Sequence, residues 1–253
     1  MTADVEPVAP QPNAAGTKVN SFQRIMGVFF SPVETLESIA RRPDILVPLL
    51  ILIAISLTAN VLLVRHIDFA SITRDSIQQS PRASEMTPDQ MARAVRFGAA
   101  VAKAATYASP VLQLIVLAIV AGIFLIAFRL FGGEGDYKQA FSILVYGWYP
   151  LLLHAAVATI VLLNRRDLTA WDLSNPVRSN LSFLVDHRLQ PVQAALLGSL
   201  DIFTIWALVL LIIGYAAMSK LSRSKSATIV ISLWVLAVAV KVAFAVLQAS
   251  RMK

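Results

Sequence analysis

Five long apolar runs decide what this chain can fold into. They cover residues 45–64, 110–131, 140–163, 199–218 and 227–247. Each is close to the ~20 residues an α-helix needs to cross a hydrocarbon core. Lipid offers no partner to an unpaired N–H or C=O, so a spanning segment must satisfy its own backbone. Helices do so, whereas β-barrel spans would alternate apolar and polar residues, and these runs do not alternate. The fold class that follows is an all-α integral membrane protein, with a five-helix transmembrane domain over residues 43–253 and a short amphipathic helix before it. Composition agrees: 57% of residues are hydrophobic and 15% charged, against about a quarter charged in average soluble domains.

Residues 1–20 are rich in Pro and Ala and poor in large apolar groups, so they are expected to form a disordered tail. They show no charged stretch leading into an apolar core, and the first span is expected to serve as the insertion signal. In residues 21–42, Ser31 and Glu34 have capping-box spacing and Pro32 suits the first helical position. Val33, Leu36, Ile39 and Ala40 share one face, Arg41 and Arg42 suit the C-terminal end, and Pro43 stops the helix. This predicts an amphipathic helix at the membrane interface; a helix packed on the bundle is the alternative. Thr87 and Gln90 repeat the capping box and predict a separate interfacial helix over 88–106, with Met91, Val95, Ala99 and Ala102 on one side. Residues 164–198 read mostly as loop.

The net charge is +7. The cations are scattered rather than gathered on one element, which argues against a nucleic-acid partner and for loops beside anionic lipid. The connection "SKLSRSKS" over 219–226 has three cations and no acid. Arg41, Arg42 and Arg129 agree with it, although residues 65–109 carry six cations on the other side. The positive-inside rule then places the N-terminus in the cytoplasm and the C-terminus outside.

Enzyme motifs are absent. His66, His154 and His187 lie far apart, and no cysteine exists for a thiolate metal site or a disulfide. "GGEGDYKQA" lacks the Gly-Lys-Ser/Thr ending that cradles phosphate and magnesium. The expectation is a non-catalytic protein without cofactor or metal. Three ionisable groups fall inside spans, where they are costly and often functional: His154, Asp201 and Lys241. At 1.5 Å per residue, Asp201 and Lys241 differ in depth by about 6 Å, within reach of a lysine. They form a pair, or Lys241 snorkels while Asp201 caps the fourth span. With His154 as a titrating neighbour, the three residues also carry the alternative reading of a transporter or channel component.

The stretch "FGGEGDYKQAFSILVYGWYP" joins the second and third spans. Gly132, Gly133 and Gly135 predict a tight cytoplasmic turn, with Lys138 on the positive side. Pro150 is expected to kink the third span, with Tyr146, Gly147, Trp148 and Tyr149 packed around the kink.

Together, "FFSPVETLESIARRPDILVPLLIL", "FGGEGDYKQAFSILVYGWYPLLL" and "SLDIFTIWALVLLIIGYAAMSKLSRSKS" resemble the Yip family of small multi-span membrane proteins, in particular its bacterial members. Eukaryotic relatives were named for interacting with Ypt/Rab GTPases. They carry an Asp-Leu-x-Gly-Pro motif before the first span; here Asp44 and Pro48 match it and Val47 stands in place of the glycine. The resemblance implies five spans, a cytoplasmic N-terminus, an outer C-terminus and no catalytic residues to map. The bacterial members carry no settled function; the amphipathic segment over 22–42 and the packing motifs, taken with the family, give the expectation that the chain organises the bilayer, or a membrane-protein partner or second copy of the chain, in a bacterial cytoplasmic membrane.

Overall fold

A computed structural model describes residues 20–78, 80–166, 168–186 and 190–251. The expected disordered tail, apart from Asn20, and His187 lie outside the described residues. The helices are α1 (Ser21–Phe30), α2 (Pro32–Arg41), α3 (Leu46–His66), α4 (Phe69–Gln78), α5 (Pro88–Leu130), α6 (Tyr137–Gly147), α7 (Tyr149–Leu163), α8 (Ala170–Ser174), α9 (Pro191–Leu197), α10 (Ile202–Ser219) and α11 (Arg223–Arg251). Five segments are long and apolar enough to cross a membrane: Leu46–His66, Pro88–Leu130, Tyr137–Leu163, Ile202–Ser219 and Arg223–Leu247. Among the described residues there is no β-strand beyond a single bridge between Asn180 and Asp201.

The second span corrects the sequence reading. The segment 88–106 is not a separate interfacial helix but the first half of α5, which runs unbroken for 43 residues. At 1.5 Å per residue that is about 65 Å, twice the ~30 Å hydrocarbon core. Thr87 and Gln90 form their capping box at its start. Pro110 has no N–H for the carbonyl of Thr106. The hydroxyl of Ser109 donates to that carbonyl instead, at 2.9 Å. Asn60 Nδ2 in turn donates to Ser109 Oγ at 2.8 Å, which ties α3 to α5 at the repair.

The expected N-terminal helix is α2, with Pro32 at its first position, and a second helix, α1, precedes it. Asn20 and Gln23 form a capping box that starts α1. The capping box expected at Ser31 and Glu34 does not form. Ser31 is the single joint between the helices: its N–H closes α1 on Gly27 O, and its O accepts from both Thr35 N and Thr35 Oγ1. Its backbone is therefore committed to the turn and does not adopt the extended cap conformation. Leu36, Ile39 and Ala40 are buried, and α2 packs chiefly on α10, with α1 and α6 beside it.

The core sits where α2, α5, α6 and α10 meet. Tyr215 stacks on Phe124 and Phe128, with ring centroids 4.7 and 5.1 Å apart, and its hydroxyl donates to Ala140 O at 3.0 Å. The third span breaks at Trp148, between α6 and α7. Residues 164–198 are not wholly loop: α8, a 3₁₀ turn over Leu181–Leu184 and α9 lie within them.

Candidate functional site

Two polar networks stand out in an otherwise apolar bundle. The first joins the N-terminal hairpin to the first and third spans. Arg24 is 7% exposed, on the face of α1 that also buries Ile25 and Val28. Its Nη1 lies 2.5 Å from Asp44 Oδ1. Nη1 also donates to Arg42 O, and Nη2 donates to Ser38 Oγ. The other carboxylate oxygen of Asp44 accepts from Ser21 Oγ at 2.7 Å and Tyr146 Oη at 2.8 Å. Ser142 Oγ donates to the carbonyl of Asp44, and Tyr149 Oη donates to that of Pro48, each at 2.8 Å. Two of the aromatics placed around the Pro150 break, Tyr146 and Tyr149, are thus hydrogen-bond donors to Asp44 and Pro48. Gly147 meets α10 closely: a Cβ there would stand 2.6 Å from Leu211 Cδ2.

A buried cation needs a counter-charge and satisfied protons, because desolvation costs several kcal/mol per ion. Asp44 supplies the charge, and one guanidinium atom, Nε, keeps no hydrogen-bond partner. Sequence reasoning missed this pair, since Arg24 and Asp44 meet only once the α1–α2 hairpin folds. The available signal was a lone arginine within the apolar "SFQRIMGVFF".

The turn between the second and third spans uses its glycines in different ways. Gly132 and Gly135 have φ of +81° and +117°, which side-chain-bearing residues rarely adopt. Gly133 packs against Phe128 O and Ser219 Cβ. Arg129 Nη2 donates to Gly135 O at 2.9 Å. The N–H of Glu134 donates to Ser219 O, and its carboxylate pairs with Lys220 Nζ at 2.6 Å. Lys138 is exposed just after the turn.

The second network gathers His154, Asp201 and Lys241 around one cavity of about 440 Å³. Asp201 caps α10, its Oδ1 accepting from Phe203 N at 2.9 Å and Thr204 N at 3.2 Å. Its Oδ2 accepts from Ser179 Oγ. That hydroxyl has only one proton, so His154 Nε2, 3.4 Å from Ser179 Oγ, must be the donor of that contact. Lys241 forms no ion pair with Asp201. Its Nζ donates to Ser199 Oγ at 3.1 Å. The three residues are brought together, but as a capped carboxylate, a histidine linked through serine, and a lysine held on a hydroxyl. Among the described residues, no three His, Asp or Glu side chains converge in a metal-like group.

No curated protein and no solved structure matches the chain. The Yip1 domain family model matches residues 26–244. That span runs from within α1 to within α11 and takes in Asp44, the glycine turn and the cavity residues. The protein therefore belongs to the Yip1 domain family.

Proposed function

We propose that the protein organises the bilayer, or a membrane-protein partner within it, without catalysis, and that the α1–α2 hairpin is its working surface. The observation that carries this is an apolar ridge on α1. Phe22, Met26 and Phe30 recur every four residues and are 61%, 44% and 79% exposed. They therefore share one helix face. The opposite face of α1 is fixed to the bundle through Arg24 and Val28. A rigidly held, outward apolar ridge suits an interfacial wedge or a docking surface for another membrane protein, including a second copy of this chain.

The reading places this hairpin on the cytoplasmic side of a bacterial cytoplasmic membrane. It is supported by Arg41, Arg42, Arg129, Lys138, Lys220, Arg223 and Lys225, which flank the short turns and the hairpin. The transport alternative has weaker support. Both oxygens of Asp201 are occupied by α10 N–H groups and Ser179, so the carboxylate has a structural task already.

A photo-crosslinking amino acid at Phe30 tests the proposal. Adducts with lipid or with a membrane protein are expected in cells. A probe at Phe30 that reacts with neither, while a probe on the exposed apolar face of α11 labels lipid, would count against it.

A further inference from the structure

We propose that the cavity between α7, α9, α10 and α11 binds a phosphate-bearing anion, with Lys241 as its charged anchor. The inference stands apart from the α1 ridge and rests on how the charges around this cavity are spent. Among the described residues the single carboxylate lining it is Asp201, whose oxygens take three donors: the α10 N–H groups of Phe203 and Thr204 and the hydroxyl of Ser179. A carboxylate held on a helix N-terminus has its charge offset by the macrodipole. Lys241 is in the opposite condition. Among the described residues no carboxylate pairs with it, and one neutral hydroxyl, Ser199 Oγ, is its hydrogen-bond partner. An ammonium has three protons to donate, so two have no acceptor among the described residues, on an exposed lysine that lines the cavity.

A second donor lines the same space. Asn180 Oδ1 accepts from Ser182 N at 3.0 Å and from Ser182 Oγ at 2.6 Å. Because Ser182 N–H can only donate, the oxygen of the Asn180 amide is identified, and its NH₂ donates to no acceptor among the described residues. An unpaired ammonium and an amide NH₂ around one cavity of about 440 Å³ favour an anion with several acceptor oxygens. A phosphate group is that kind of ligand.

The surroundings offer two sources for it. Over the five residues before Lys241, towards the bilayer centre, α11 exposes Leu236, Ala237 and Val240. This apolar face lies where the acyl chain of a phospholipid would run if its headgroup met Lys241. The cavity also opens beside the polar segment that carries Trp171, Asn175 and Asn180, from which free phosphate could enter.

Native mass spectrometry of the full chain, delipidated in neutral detergent, tests this with phosphatidylglycerol, uncharged diacylglycerol and inorganic phosphate. A phosphatidylglycerol adduct far above the diacylglycerol one, weakened about tenfold in Lys241→Met and kept in Lys241→Arg, supports the lipid source. Saturable inorganic phosphate binding with the same dependence on Lys241 supports the free source. Two results overturn the proposal: wild-type protein binding neither phosphate probe above diacylglycerol, or a folded Lys241→Met protein binding both as well as wild type. Should Lys241→Met fail to fold, Lys241→Gln is read the same way, and the wild-type comparison with diacylglycerol stands without either variant.

Discussion

Buried Arg24 and half-buried Asp44 form an ion pair, 2.5 Å from Nη1 to Oδ1, that fixes the first helix of the chain to the entry of its first membrane span. The pair is unequal. Without Arg24, Asp44 keeps the hydroxyls of Ser21 and Tyr146. Without Asp44, Arg24 keeps only neutral acceptors, the carbonyl of Arg42 and the hydroxyl of Ser38.

Asp44→Leu is therefore expected to cost more than Arg24→Met. The larger loss should be about 3–5 kcal/mol, the range for a buried charge stripped of its partner. The double variant should recover part of it. Tyr146→Phe, which removes a hydrogen bond to a charged group, should cost about 1.5–3 kcal/mol. Unfolding titrations of the detergent-solubilised variants measure all four, and additive single effects would refute the coupling.

The turn between the second and third spans gives a ranked pair. At Gly135, φ is +117° and a Cβ would stand 2.7 Å from Met218 Cγ. At Gly132, φ is +81° with nothing within 4 Å. Gly132→Ala meets backbone strain alone, about 1–2 kcal/mol. Gly135→Ala adds a steric clash and should be the worse variant by thermal unfolding. Equal losses would mean that the Met218 contact does not constrain the turn.

Asp201 separates structural from transport chemistry. As a helix cap it should tolerate asparagine, which accepts the same N–H bonds, whereas Asp201→Ala should cost about 0.5–2 kcal/mol. Thermal unfolding of the two variants checks this. An Asp201→Asn protein as unstable as Asp201→Ala would show that the charge, rather than the cap geometry, is what α10 needs.

How far these features could be read from the sequence follows from the range of the interaction. Five spans were legible because lipid forces each helix to be continuously apolar. The start of α5 was legible from Thr87 and Gln90, but its continuity was not. Ser109-Pro110 reads as a break, and only the Ser109 hydroxyl bonded to Thr106 O shows why the helix survives. Asp201 announced itself as a cap by standing at the head of an apolar run. The partner of Lys241 did not: it is Ser199, 42 residues away, two positions from the carboxylate that depth alone favoured. Arg24 and Asp44 were hidden because their meeting depends on a one-residue joint at Ser31, where the expected capping box gave way to the turn.

The absence of cysteine in the chain makes its orientation directly readable. In intact cells, Ser71→Cys in α4 should react with a membrane-impermeant maleimide. Ser222→Cys, in the short connection between α10 and α11, should react only after permeabilisation. The reverse pattern would invert the topology and move the α1–α2 hairpin outside.

The proposed task is tested most directly by vesicle shape. Full-length protein reconstituted at rising density into phospholipid vesicles should deform or cluster them by cryo-electron microscopy, and a Phe22→Ser/Met26→Ser/Phe30→Ser variant that inserts equally should leave them spherical and separate. Vesicles reshaped equally by the wild type and by the folded triple variant would contradict the account, because the exposed ridge of α1 would then have no part in organising the membrane.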